Sequence, residues 1–333
     1  MMGSRSGAMT NMRRFFAGVG VLAAGVLGAC EPLDDGGGGG AGDVLFTSGF
    51  AFVREDDRNV FVVDDDGDPN SPQRLTTVGG VYWPAVSRDA RSVVYVQRTG
   101  TATSLQTVPT SGGTPATLFS SGDAACARGC TNFRTPTFSP DGRSVVFVFS
   151  PANSSITSLG RVNTDGSGFQ ELTPNTTISY GAPSFLPNGS AVLAPAGSGL
   201  RQLNQIAYVP LNGGSPILSF LGNEVVAVEN RVAVSPNGTQ VAYDGRLSSG
   251  STRIFVASIT SSNVSVGQRV TDLTGASVQE TWPSWTRSNQ LGFLFADSAG
   301  SDPGIYRAGV GSGATGSVSL AVPSAAEPSY GPL

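Results

Sequence analysis

The apolar positions of this chain fall in short β-branched or aromatic runs, separated by turns rich in Gly, Pro and Asp, and the arrangement repeats. The clearest copy is residues 134–149, RTPTFSPDGRSVVFVF. Pro136 opens a short apolar strand that ends at Phe138. Ser139-Pro140-Asp141-Gly142 is turn chemistry: Pro140 presets φ, the Asp141 side chain can bond its own backbone, and Gly142 accepts φ > 0. Residues 143–149 are β-branched and aromatic, which predicts a buried strand. Related segments read PAVSRDARSVVY at 84–95, PSFLPNGSAVLA at 183–194, VAVSPNGTQVAY at 232–243 and PSWTRSNQLGF at 283–293. Aligned on the Pro136 position, the anchors fall at 84, 136, 183, 232 and 283, in steps of 52, 47, 49 and 51 residues. Five copies in register at that period predict a repeat architecture.

Each copy is followed by two further short runs around a turn, as at 158–163 and 170–173 around Thr164-Asp165-Gly166-Ser167-Gly168. Four strands per repeat with tight hairpin turns predict a propeller blade. The ends complete the count. Residues 43–47, DVLFT, match the second strand of a blade without a Pro-x-aromatic strand before them. Residues 327–330, EPSY, are such a strand, with Pro328 45 residues beyond Pro283. The expectation is an all-β, six-bladed β-propeller over residues 43–333, its last blade closed by the N- and C-terminal strands. Closure of that kind protects sheet edges.

The Pro-x-Phe-Ser-Pro-Asp-Gly pattern of residues 136–142, and more loosely 232–238, resembles the repeats of TolB-like six-bladed β-propellers. The Leu-Thr pairs Leu75-Thr76, Leu172-Thr173 and Leu273-Thr274 fit as well. The resemblance covers residues 43–333. It implies the fold and leaves the function open, since one fold hosts many functions. TolB carries an extra α/β domain before its propeller, where this chain has a Gly-rich tether.

Residues 1–29 read as a lipoprotein signal peptide. Arg13 and Arg14 precede a thirteen-residue apolar run at 15–27, too short to span a bilayer comfortably. The run ends in Leu27-Gly28-Ala29-Cys30, which resembles the lipobox of bacterial lipoproteins. That resemblance implies lipidation of Cys30; the alternative is an ordinary cleaved signal. Residues 30–42, with five consecutive Gly at 36–40, then form a flexible tether. The implied location is the bacterial cell envelope. Glu31, standing where an Asp would favour inner-membrane retention, points to the outer membrane facing the periplasm.

Composition narrows the chemistry. The chain has no His, and its 20 basic residues are all Arg. Without residues 1–29, 17 Arg face 24 acidic residues. The net negative charge and absence of a basic cluster argue against a nucleic-acid partner. Lack of His excludes Ser-His-Asp and Cys-His catalysis and His-rich metal sites. No G-x-S-x-G elbow is present, and no cofactor or metal is expected. The acidic run Asp64-Asp65-Asp66-Gly67-Asp68 has two readings, a Ca²⁺ loop and a solvated hairpin turn. It occupies a turn position and lacks the closing Glu of an EF-hand, which favours the turn. Cys126 and Cys130 predict a small disulfide loop in an exported protein; a redox pair is the alternative.

The expected function is a non-catalytic, monomeric scaffold that binds an envelope protein or peptide, attached to the membrane by its lipid. The alternative is a carboxylate-dependent enzyme or binding module acting on envelope glycan or peptide, for which two acids could suffice. Glu224, Glu229 and Glu280 are the acids expected in loops. The turn-side face carries short, regular turns, whereas the opposite face carries longer, irregular loops, including 49–58 and 120–135. Binding on a rigid scaffold favours such loops. The candidate contacts there are Tyr82, Arg134, Tyr180, Arg231 and Trp282, because Tyr, Trp and Arg dominate interface energetics. Trp83 and Trp282, like Thr135, Ala182, Arg231 and Glu327, precede anchor positions and are expected to ring one mouth of the channel, the two Trp mainly in a packing role. Trp285, at the Phe138 position, is expected in the core.

Overall fold

A computed structural model describes residues 46–175, 177–198, 202–271, 278–296, 303–310 and 318–333. The signal segment, Cys30, the tether and Leu273-Thr274 lie outside them. The described residues form strands and turns and contain no helix.

Antiparallel pairing gathers the strands into successive units of four, here called blades. Blade 1 orders Ala326–Gly331, Gly49–Val53, Val60–Asp64 and Gln73–Arg74 from first strand to last. Blade 2 runs Val81–Val86, Ser92–Thr99, Ala102–Pro109 and Ala116–Ser120. Blade 3 runs Cys130–Phe138, Ser144–Pro151, Ser158–Asn163 and Gln170–Glu171. In blade 4 the first strand is split into Ile178–Tyr180 and Ser184–Phe185, followed by Ala191–Ser198, Gln205–Pro210 and Ile217–Phe220. Blade 5 runs Val225–Val234, Gln240–Leu247, Thr252–Thr260 and Gln268–Arg269. Blade 6 runs Gln279–Trp285, Gln290–Ala296, Gly304–Gly309 and Ser319–Pro323. One parallel bridge, Thr252 to Gln279, ties blades 5 and 6.

The core lies between blades. Central strands face a neighbouring sheet on each side, so they are buried on both faces and read as unbroken apolar runs; Ser144–Phe149 is one. Blades 2 and 3 share Val94, Leu105, Phe119, Phe133 and Phe147. In that interface Phe133 and Phe147 meet edge to face at 4.9 Å, a favoured aromatic geometry. Further clusters join blades 1 and 2, 3 and 4, 4 and 5, and 5 and 6. Phe50, Phe52, Ile305 and Val322 join blade 6 back to blade 1, closing the cycle. Trp285 sits in the core, fully buried, with Nε1 donating to the Ala233 carbonyl at 2.9 Å.

The turns follow the repeat. In blade 3 the Gly142 N–H donates to the Ser139 carbonyl at 2.9 Å, and Gly142 has φ of 69°. Asp141 accepts the Ser139 hydroxyl at 2.6 Å and the Arg143 N–H at 3.1 Å. Ser87 with Asp89, and Ser235 with Asn237, repeat that side-chain bond.

The C-terminal strand does complete blade 1, pairing Gly331 with Gly49 and Tyr330 with Phe50. Its partner differs from the expected one. The second strand is Gly49–Val53, so 49–53 is not loop; of the expected 43–47, Phe46 and Thr47 are outside any strand and 43–45 lie outside the described residues. Two apolar runs, LFT and GFAFV, stand within a few residues, and periodicity cannot choose between them. The longer run buries all five of its side chains, and burial decides. The acidic run forms the turn at the end of Val60–Asp64. Asp64 and Asp65 are engaged: Asp64 accepts the Thr47 N–H, while Asp65 binds Arg307 at 2.7 Å and the Tyr330 hydroxyl. Cys126 and Cys130 form the disulfide.

Candidate binding site at the channel mouth

In four blades the residue before the anchor proline is left-handed: Trp83, Thr135, Trp282 and Glu327 have φ of 52°, 43°, 58° and 51°. For bulky residues this region is costly. Each lies at a register shift in the pairing of the first and second strands. Such a bulge leaves a residue unpaired and re-aims its side chain.

Buried carboxylates hold the two tryptophan bulges in the same way. Glu327 of blade 1 accepts the Trp83 N–H at 2.7 Å on Oε2 and the Arg58 guanidinium at 2.8 Å on Oε1. Asp244 of blade 5 accepts the Trp282 N–H at 3.0 Å on Oδ2. The same Oδ2 takes the Asn230 side-chain amide at 2.8 Å, and Oδ1 takes the backbone N–H groups of Asn230 and Arg231, both at 3.0 Å. Glu280 also links blades 5 and 6, accepting the Ile254 N–H at 3.0 Å and the Thr271 hydroxyl. Burial pushes Asp244 up to about 6 and raises Glu280 and Glu327 as well, against the pull of these hydrogen bonds.

At the loop-side mouth lies a cavity of about 230 Å³ lined by Trp83, Arg134, Thr135, Tyr180, Glu229 and Trp282, among others. Its one lining carboxylate, Glu229, is paired with Arg246 at 2.9 Å. Arg134 has no hydrogen-bond or ion-pair partner among the described residues. The Thr135 hydroxyl is buried and likewise unpartnered among them. Next to the cavity the Arg58 and Arg98 guanidiniums lie 4.5 and 4.3 Å from the Tyr82 ring centroid, and Arg98 lies 4.8 Å from that of Trp83. The Arg98 Nε is buried without a described partner. Close packing and the Arg98 charge push the Arg134 guanidinium down from its ordinary value.

Of the five candidates, Arg134, Tyr180 and Trp282 are brought together in this cavity. Tyr82 stands just outside, beneath the two arginines. Arg231 is elsewhere: it lines a cavity of about 130 Å³ at the turn-side mouth, to which the first strands of all the blades contribute. Its guanidinium donates to the Pro328 carbonyl at 2.9 Å, and burial pushes it down to about 10 despite Asp244 nearby. The repeat copy at 232 has Val in place of the anchor proline, and Arg231 lacks the left-handed kink. Sequence reasoning missed Arg58, Arg98 and Asp244, and gave Glu327 a place at the mouth without a role. Glu327 alone had a signal, since it occupies a pre-anchor position. Of the acids expected in loops, Glu224 does lie in one and pairs with Arg269. Glu229 and Glu280 are in first strands. Among the described residues no cluster of three or more His, Cys, Asp or Glu side chains could hold a metal.

No protein-family model and no curated protein matches this chain. Its fold matches solved structures. TolB from Acinetobacter baumannii aligns over 86% of this chain and 67% of its own, with a TM-score of 0.63 and 19% identity. The periplasmic gluconolactonase PpgL of Pseudomonas aeruginosa aligns over 82% and 81%, at TM-score 0.54 and 13% identity. An oligogalacturonate lyase from Vibrio parahaemolyticus aligns over 78% and 74%, at 0.53 and 16%. The chain therefore has a TolB-like β-propeller fold. At these identities the likeness extends to the fold alone, and the fold is shared by proteins named as enzymes and by TolB.

Proposed function

We propose that this chain is a lipid-anchored propeller of the bacterial cell envelope that serves as a non-catalytic scaffold, binding a protein or peptide at the loop-side mouth. One observation carries the reading: Trp83, Trp282 and Tyr180 converge there on Arg134, a cation that no described residue engages. Half-buried Trp83 and Trp282, buried Tyr180 and the exposed Arg134 around a small, preformed recess have the composition of an interface hot spot. The cavity is below the ~300–1,000 Å³ range of pockets that enclose a whole small molecule, and so suits an anchoring side chain. The envelope location rests on the signal-like residues 1–29 and on Cys30 as lipid attachment site.

The test is affinity capture from solubilised envelope, with the full chain carrying Cys30→Ser as bait. An envelope protein retained by this bait and lost when Trp83, Arg134 and Trp282 are replaced together supports the scaffold. Equal retention by both baits refutes the site. The second reading, a carboxylate-dependent enzyme on envelope glycan or peptide, draws on Glu229 at the cavity wall and on the enzymes that share this fold. Turnover of peptidoglycan fragments by the wild type, absent in Glu229→Gln, would replace the scaffold reading.

A further inference from the structure

We infer that the loop-side mouth recognises a carboxylate, carried by an acidic side chain of a peptide partner and received by Arg134 with Arg98 behind it. This rests on the scaffold reading of the mouth and specifies what it selects.

Charge comes first. Arg58, Arg98 and Arg134 gather where blades 1, 2 and 3 meet the mouth, near two carboxylates: Glu327 beside Arg58, and Glu229, which lines the recess with Arg134 and is paired with Arg246. Glu327 is committed to Arg58 and the Trp83 N–H. With both carboxylates committed to other arginines, Arg98 and Arg134 are left without an ion-pair partner among the described residues, in a protein that is acidic overall. Arg98 and Arg134 repel each other, and folding leaves that repulsion standing. An incoming anion would relieve it.

Donors come second. Arg134 offers a free guanidinium fork, the geometry that matches a carboxylate with two parallel bonds. The Thr135 hydroxyl, buried and unpartnered in the same wall, supplies a third donor. Trp83 and Trp282 give apolar walls for the residues flanking the acid. The chemistry favours a singly charged carboxylate over a phosphate dianion, because Glu229 also lines the recess and would oppose a second negative charge.

The preference is built from a left-handed kink. Thr135 takes φ of 43° immediately after Arg134, and the first strand shifts register on either side of Arg134. Arg134 itself still pairs with Val148, and Thr135 is left unpaired beside it.

The test uses the full chain carrying Cys30→Ser and follows tryptophan fluorescence, since two of the three tryptophans line the cavity. The probes are acetyl-Leu-Asp-Leu-amide, its isosteric acetyl-Leu-Asn-Leu-amide, and inorganic phosphate. The expected result is saturable binding of the Asp peptide that weakens with added salt. The Asn peptide and Arg134→Gln should each bind at least tenfold more weakly, and Arg134→Lys in between. Arg143→Gln, which removes an exposed turn-side charge, should bind as wild type. Equal binding of the Asp and Asn peptides, no binding of the Asp peptide at 10 mM, phosphate binding more tightly than the Asp peptide, or an unaffected Arg134→Gln would each overturn the inference. If the envelope capture still depends on Trp83 and Trp282 while these probes fail, the scaffold stands and carboxylate selection falls. If neither depends on the mouth, both fall.

Discussion

The two mouths of the channel are built from the same first strands and have opposite fates. At the turn side three polar side chains are bonded within the fold, while the exposed Arg88 has no side-chain partner among the described residues. Arg231 caps the Pro328 carbonyl, Arg287 donates to the Pro332 carbonyl at 3.1 Å, and Trp285 reaches Ala233. At the loop side the strands kink into left-handed residues, and Arg134, Arg98 and Thr135 keep donors without described acceptors. The lesson is that the repeat is spent on stability where it is regular and releases side chains where it is broken. Substitutions of bonded groups should therefore act on stability, and substitutions of the unpartnered loop-side donors on binding.

The largest effects are expected at bonded, buried groups. Trp285→Ala opens a cavity between blades 5 and 6 and orphans the Ala233 carbonyl; it should cost about 3–5 kcal/mol, read by denaturant unfolding. Glu327→Gln weakens the clasp on Arg58 and the Trp83 N–H, and with it the closure of blade 1 on blade 2. We expect a loss of about 2 kcal/mol, the worth of a hydrogen bond to a charged group.

Acidity should sharpen the picture next. Asp244, raised to about 6, together with Glu280 and Glu327, binds protons more tightly folded than unfolded. Their contribution is therefore greatest at low pH and is lost as pH rises, for Asp244 through the window from about 4 to 6. Each tenfold gain in proton affinity on folding is worth about 1.4 kcal/mol at most. The turn carboxylates Asp89 and Asp141 are held low, chiefly by the Ser87 and Ser139 hydroxyls, so their contribution disappears below about pH 4. A melting profile should climb from pH 7 towards 5 and fall below 4. Asp244→Asn should flatten the climb and leave the acid limb unchanged.

The smaller effects separate the mouths most cleanly. Ser139→Ala leaves the Ser144 N–H without its side-chain acceptor and should cost about 1 kcal/mol. Arg134→Gln breaks no bond of the fold, and its stability should stay within about 0.5 kcal/mol of wild type.

The same contrast explains what could be read from the sequence. The repeat period, the Ser-Pro-Asp-Gly turns, the closing C-terminal strand and the core position of Trp285 were all legible, because local turn chemistry and alternation of apolar residues fix them. The first strand after the tether was misplaced by a few residues, since neighbouring apolar runs satisfy the same pattern and pairing with residues 326–331 makes the choice. Arg231 was assigned to the wrong mouth because repeat alignment carries position along a strand but not side-chain direction, which the bulges reset blade by blade. Arg58 and Arg98 gave no signal at all: they are ordinary arginines until Tyr82 and Trp83 bring their charges together.

The decisive measurement sets Arg134→Gln beside Ser139→Ala, recording melting temperature and envelope capture for each. The account predicts a crossed result: Arg134→Gln melts as wild type and loses the captured partner, while Ser139→Ala melts lower and keeps it. Capture retained by Arg134→Gln, or a fall in melting temperature as large as that of Ser139→Ala, would contradict the division of labour between the two mouths.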